Sequence, residues 1–416
     1  MNSSEQAAVA LAGSAVASNA AERLVLDAIK NGARTLHLEP HQNGARVRYR
    51  IDGALQEWAQ LSEHAMHALI AHFKHRANIA PDENRWSQEG RFTIRSRSGV
   101  YTIKLTTLPL ARGEKAVLHI FNAQHYMHSL EELGIWGDTR KRLNKSLTAS
   151  QGLIVVSGPQ HSGTSTTLRS LLHTLNRPAH SVVSIEDPVE YRLPGVYQLR
   201  IDRKHGIDVS QGLDIALKGD ANTVMVSHLH GKRATDAALE ASAKGRLLLA
   251  GMHTTSLTQT LQQLTTTTSE QYMLSHNLQA VVHQQLVRRL CDNCKVPAKP
   301  DAAMLRKITT RTRITVATLQ HFMKETAKHQ GTQPTLQISA PKGCKECNQT
   351  GFKGQIGLFE VLTTSPEVQR RLLAHTDPVA LLHNAVKDGM MPMLVDGFVK
   401  ALCGLTTIEE VLHSYK

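Results

Sequence analysis

Residues 153–165 read LIVVSGPQHSGTS. A short apolar, β-branched run meets a glycine, four residues intervene, and a second glycine opens the amphipathic segment TSTTLRSLLHTL. This is the spacing of a phosphate-binding loop, G-x-x-x-x-G-K-[ST], which follows a strand and starts a helix. Gly158 and Gly163 permit tight turns, and the first N–H groups of the helix face an anion. The candidate nucleotide-binding residues are therefore Gly158, Pro159, Gln160, His161, Ser162, Gly163, Thr164, Ser165 and Thr166. One of them departs from the pattern, because Thr164 stands where the lysine belongs. Backbone donors are enough to bind phosphate, whereas phosphoryl transfer needs a cation and loses roughly a hundredfold or more without one. Ser165 retains the hydroxyl that reaches a metal ion. His161 would be strained if its φ were positive.

Outward from this loop, short apolar runs alternate with amphipathic helices: SVVSIE, VSQGLDIALK, TVMVS, ATDAALEASAK and RLLLAG. That order predicts parallel β-α-β units, an α/β doubly wound sheet whose ligands bind after the strands. Upstream, AERLVLDAIKNGA reads as a helix, and ARVRYRIDG as a strand with Val47, Tyr49 and Ile51 on one face and Arg46, Arg48 and Arg50 on the other. The arginine row suits either water or an acidic partner. A helix over 61–80 and strands over 91–95, 101–106 and 116–121 complete a small α+β domain. The tetrad Thr265 to Thr268 is expected in an inter-helix loop.

Bulk properties narrow the function. The 416 residues carry a formal charge of +13, which favours an acidic partner, yet the basic residues are scattered and aromatics make up only 4%. Nucleic acid is therefore not the favoured partner. No stretch approaches the ~20 apolar residues of a membrane span, and the first residues lack the basic start and apolar centre of a secretory signal. Cys291-x-x-Cys294 and Cys344-x-x-Cys347 suit a structural Zn²⁺ site in a reducing compartment, and Cys403 reads as a small core residue.

Several longer strings carry a resemblance over about Ala20 to Lys416. SIEDPVEY at 184–191 looks like an aspartate box and MHTT at 252–255 like a histidine box; LVRRLCDNC, GCKECNQTGFKGQIGLFEVL, LHLEP, VRYRIDG and TLPLARGEK match too. The chain resembles the type II secretion and type IV pilus assembly ATPases. The resemblance implies a RecA-like P-loop core, an N-terminal sensor-like domain, a tetracysteine metal domain and C-terminal helices. It also implies a cytoplasmic hexamer at the inner membrane, serving a membrane platform protein, with ATP and Mg²⁺ held between the first two domains. Glu186, Asp187, Glu190 and His253 fall on the family's site positions, and Arg91 on a retained arginine.

Other positions depart. The segment NTVMVSHLHG places Asn222 where the family has an acidic residue that helps hold Mg²⁺, His228 at its catalytic glutamate and His230 at an arginine. Lys104 and His119 stand at two further arginines of the first domain, and neither replaces a guanidinium fork. These losses converge on one reaction. The expectation is a ring-forming family member deficient in hydrolysis, in a homo-hexamer or mixed with an active paralogue, with an active motor as the rival reading. Expected boundaries are a flexible tail over 1–20, the first domain over 21–123, a linker over 124–147, the P-loop domain over 148–290, the metal subdomain over 291–358 and helices over 359–416. With so short a tail, an extra docking module ahead of the first domain is not expected.

Overall fold

The computed structural model describes residues 14–42, 44–122, 128–189, 192–298, 300–312, 314–330 and 338–415. They form two compact units that divide between Tyr126 and Met127.

The first unit runs α1 (Ser14–Lys30), β1 (Ala33–His41), β2 (Gly44–Ile51), β3 (Ala54–Leu61), α2 (Glu63–Arg76), β4 (Gln88–Ser96), β5 (Gly99–Leu110) and β6 (Gly113–Asn122). Its antiparallel sheet has the order β3-β2-β1-β6-β5-β4. Strand alternation sends Leu36, Leu38, Val47, Tyr49, Ile103, Leu105 and Leu118 to one core with residues of both helices. The opposite face carries the arginine row, and Glu39 gathers it: Arg46 lies 3.2 Å, Arg48 2.7 Å and Lys115 2.8 Å from its carboxylate. Burial would push that carboxyl up, but the hydrogen bonds from Arg48 and Lys115 outweigh it and hold the pKa at about 2. Part of the row is thus internally paired. The tail is shorter than expected, since Ser14 to Ala20 are already helical. Their alanines favour helix, and Ala21, Val25 and Ala28 anchor the segment in the core.

The second unit opens with α3 (Leu130–Leu133) and α4 (Gly137–Leu147). Its central stretch is β7 (Gly152–Gly158), α5 (Thr164–Leu175), β8 (Val182–Glu186), β9 (Tyr197–Arg200), α6 (Val209–Lys218), β10 (Thr223–Val226), α7 (Lys232–Ala243), β11 (Leu247–His253), α8 (Leu257–Thr267), α9 (Gln271–Asn277) and β12 (Leu278–Leu290). Then follow β13 (Val296–Ala298), α10 (Ala302–Thr312), α11 (Val316–Gln330), β14 (Ile338–Ala340), β15 (Phe352–Thr363), α12 (Pro366–Leu373), α13 (Pro378–Lys387), α14 (Met393–Leu402) and α15 (Ile408–Ser414). The sheet order is β15-β12-β7-β11-β10-β8-β9, parallel throughout except for β15. Every residue of β7 is buried, because Leu153 and Val155 join one core layer while Ile154 and Val156 meet Leu168, Leu171 and Leu172 of α5 on the other.

Three further boundaries differ from expectation. Residues expected as a linker form α3 and α4, whose Leu130, Leu143 and Leu147, with Ile135 between the two helices, are buried with β7 and α5. β15 crosses the expected boundary at 358, because it pairs with β12 over most of its length. Thr265 to Thr267 end α8 instead of forming a loop: Leu257, Leu261 and Leu264 bury one helical face, and the Thr265 and Thr266 hydroxyls donate to carbonyls one turn back.

Candidate functional site

The loop between β7 and α5 is shaped by contacts that only glycine allows. A Cβ on Gly158 would lie 2.4 Å from both the Gln284 carbonyl oxygen and Ser162 Oγ. Gly163 takes φ +87° and opens α5, and no side chain caps the helix. Its first N–H groups are left for an anion. His161 adopts φ +66°, a left-handed conformation costly for a branched side chain, and its ring is exposed at the loop tip with Gln160. Gln284 Nε2 donates to the Ser162 carbonyl at 2.7 Å and pins the loop from β12. Pro159 accepts from the Ser162 N–H. Thr164 is buried, Ser165 exposed and Thr166 half-buried. The missing cation is therefore replaced by a hydroxyl turned largely away from solvent.

The aspartate box behaves differently from what its carboxylates suggest. Glu186, ending β8, is 1% exposed. Its Oε1 accepts from Ser184 Oγ at 2.7 Å and from Gln198 Nε2 at 2.9 Å, while Oε2 lies 3.5 Å from the Arg169 guanidinium of α5. Glu186 is an interior ion-pair partner. Asp187 is exposed and lies 3.5 Å from Arg203. Glu190 lies outside the described residues.

One expectation is corrected by strand register. Asn222 immediately precedes β10, where Thr223 is level with Leu247 of β11 and, through it, with Gly152 of β7. The loop begins at the other end of β7, so at ~3.3 Å per residue Asn222 is about 20 Å from it. Its Oδ1 instead accepts from the Ser181 N–H at 2.8 Å, closing the base of the sheet. A carboxylate there would not reach a loop-bound metal ion. His228 and His253 do stand at the ligand-facing end. His253 is in register with Gly158, and its ring centroid lies 4.6 Å from that of His228. His230 stacks on His228 at 5.9 Å. The His228 side chain is exposed, yet the desolvation it still meets, then the neighbouring His253, His230 and Arg203, hold it below the ordinary histidine range.

In the first unit, Arg91 of β4 pairs in register with Lys104 of β5, and Lys104 with His119 of β6. Directly opposed residues share a face, so the three form one cross-strand row. Glu89 lies 3.0 Å from Lys104.

Sequence reading missed the polar layer beneath the loop. Ser157 Oγ lies 3.0 Å from His283 Nδ1 and accepts from Thr260 Oγ1 at 2.9 Å; Thr260 in turn meets Thr254 Oγ1 at 2.7 Å. Burial draws the His283 pKa down to about 4. The available signal was polar residues in otherwise apolar strands, Ser157 in LIVVSG and His283 in AVVHQQLV. A cavity of about 220 Å³ also flanks the loop, between Gln160 and His161 on one side and Gln285, Gln355, Glu410 and His413 on the other.

Cys291, Cys294, Cys344 and Cys347 bring their sulfurs within 4.8 Å of one another. Three separations are 3.9, 3.8 and 3.7 Å. A tetrahedral ion with ~2.3 Å bonds to sulfur sets its ligands ~3.8 Å apart, whereas a disulfide needs ~2.05 Å. Burial raises the Cys347 thiol, but N–H donors from Cys344 and Gly351 at 3.2 Å outweigh it and bring its pKa to about 6. The cluster fits a thiophilic divalent ion.

The family described as "Type II/IV secretion system protein" matches residues 10–413. Among curated relatives, the type IV pilus assembly ATPase PilB of Thermus thermophilus is 31% identical over 391 residues, covering 94% of this chain and 42% of that protein. The putative type II secretion system protein E of Escherichia coli K12 is 30% identical over 392 residues, covering 94% and 75%. The chain thus spans less than half of the first relative and three quarters of the second. Among solved structures, the Legionella pneumophila ATPase DotB has a TM-score of 0.66 at 14% identity over 94% of both chains. The pilus retraction motor PilT with bound ADP has a TM-score of 0.62 at 17% identity, covering 94% of this chain and 96% of that one. These two likenesses speak to the fold.

Proposed function

Because this chain belongs to the type II/IV secretion system protein family, we propose that it is a nucleotide-binding ring subunit of a type IV pilus or type II secretion machine that hydrolyses ATP poorly or not at all. The observation that carries this reading is the chemistry at the ends of β7, β8, β10 and β11. Among the described residues that end or directly follow these strands, the loop offers Thr164 without a lysine, Glu186 is engaged by Arg169, and His228 stands after β10. Asp187 is the carboxylate there that reaches solvent. Hydrolysis asks for a metal-holding carboxylate, a group to align water and a cation on the phosphoryl oxygens. Binding asks mainly for the N–H groups of the loop and the start of α5, which are kept.

On this reading the chain acts as a scaffold or regulator, in a homo-hexamer or a mixed ring with an active paralogue, at the cytoplasmic face of the inner membrane beside a platform protein. No helix among the described residues is long and apolar enough to cross a membrane. Zn²⁺ in the tetracysteine cluster would tie the end of β12 to the start of β15. ATP would occupy the loop, with Mg²⁺ reached through the Ser165 hydroxyl.

The test is Mg²⁺-dependent phosphate release by the pure protein and by a Thr164→Lys/His228→Glu variant. The doubly restored chain is expected to turn over at least about tenfold faster, and adding Asn222→Asp is expected to change nothing further. Clear Mg²⁺-dependent turnover by the unmodified chain, as fast as that of the restored one, would favour the motor reading.

A further inference from the structure

A bound triphosphate brings several negative charges to a loop with no lysine. Beyond the loop's own His161, three imidazoles stand at the same end of the sheet. His253 ends β11 opposite Gly158, and the Thr254 N–H donates to the Gly158 carbonyl at 3.2 Å, so the start of the loop and the histidine are neighbours on adjacent strands. The segment after β10 folds back on β11 through the Leu229 N–H and the Gly251 carbonyl at 2.7 Å. That bond sets the His228 ring 4.6 Å from His253 and 5.9 Å from His230, the latter pair tilted by only 8°.

We propose that His228, backed by His230 and paired with His253, takes up a proton when a nucleoside triphosphate binds, and that the resulting imidazolium holds the terminal phosphate in place of the missing lysine. This rests on the reading that the loop binds nucleotide. His228 is exposed at the end of the sheet, but without an anion a proton on it would sit against two imidazoles and the Arg203 guanidinium, each of which disfavours charge. Among the described residues, the carboxylates on this side are already paired, Asp187 with Arg203 at 3.5 Å and Asp208 with Arg233 at 3.4 Å. Nothing among these groups compensates a second cation until an anion arrives. His228 is therefore biased against a proton when the loop is empty and toward one when an anion fills it.

Linkage gives the sign. A group whose proton affinity is raised by the ligand makes that ligand bind more tightly as pH falls, by up to tenfold per pH unit for one full proton. The linkage begins as pH falls through the raised pKa of the filled site and ends below the pKa of the empty one, which its neighbours hold under the ordinary histidine value of ~6.5.

The experiment is calorimetric titration of the full chain with Mg²⁺ and the non-hydrolysable triphosphate AMP-PNP at pH 6.0, 6.75 and 7.5. Buffers of different ionisation enthalpy count protons, and all are stripped of transition metals. The terminal phosphate itself titrates in this range, so the readout is the difference between the unmodified chain and His228→Asn, with ADP as the ligand lacking that phosphate. The unmodified chain is expected to gain at least about fivefold in AMP-PNP affinity over the variant between pH 7.5 and 6.0, with no comparable gain for ADP. The exposed His161 on the loop is the competing titrating group, and His161→Asn is expected to keep the linkage. AMP-PNP binding with the same pH dependence in the unmodified chain and His228→Asn overturns the inference and leaves the nucleotide reading standing, as does linkage lost with His161 instead. Absence of nucleotide binding at every pH overturns both.

Discussion

Replacing Arg169 with methionine isolates a buried charge in the aspartate box. Methionine keeps much of the side-chain volume while removing the guanidinium that lies 3.5 Å from Glu186 Oε2. Glu186 is 1% exposed, so its carboxylate would remain in the interior with two neutral donors, Ser184 and Gln198, both on Oε1. Breaking a buried pair from one side typically costs 3–5 kcal/mol, and the surviving donors place this case near the lower end, about 3 kcal/mol. That is a large part of the ~5–15 kcal/mol that holds a domain together. With a urea dependence of ~3 kcal/mol per molar for a unit of this size, the unfolding midpoint should fall by about 1 M. The double variant Arg169→Met/Glu186→Gln should recover most of the loss, since the Glu186 charge is removed together with the guanidinium it faces. Glu186→Gln alone should leave nucleotide affinity within about twofold of the unmodified chain. The reasoning is refuted if Arg169→Met unfolds within about 0.3 M of the original midpoint, or if the double variant is no more stable than the single one.

Native purification should yield one zinc per chain by elemental analysis, and Cys347→Ser should lose it together with thermal stability; four freely reactive thiols in a metal-free protein would contradict the assignment. His283 has a folded-state pKa near 4, below the ordinary 6.5, so its contribution is complete above pH 6.5 and disappears as pH falls to 4. At ~1.4 kcal/mol per pKa unit the loss is about 3 kcal/mol, and His283→Asn should flatten urea midpoints measured between pH 6.5 and 4.5. An unchanged slope would show that the acid sensitivity lies elsewhere. His161→Gly relieves the positive φ, and because added backbone freedom in the unfolded chain offsets part of the gain, the net should be about 0.5–1 kcal/mol, seen as a rise of about 1–3 °C in Tm. A lower Tm would mean that the imidazole makes a contact worth more than the strain.

Much of this protein is written in patterns only a few residues long. The alternation in ARVRYRI, the fully apolar LIVV, the glycines at 158 and 163 and the two C-x-x-C pairs each specify a local backbone state or a ligand type, and each is found where those patterns place it. Distance along the chain governed the rest. Whether Glu186 faces solvent depends on Arg169 from another element; whether Asn222 lies near the loop depends on register across two intervening strands; whether the Arg46 and Arg48 row is free depends on one glutamate of β1. A periodicity says which face a side chain takes, but which atoms wait on that face, and at which end of the sheet, emerges only when strands far apart in sequence pair. Charges and hydrogen bonds act over about 3–4 Å, so their partners are set by that pairing and leave no mark in the neighbouring residues.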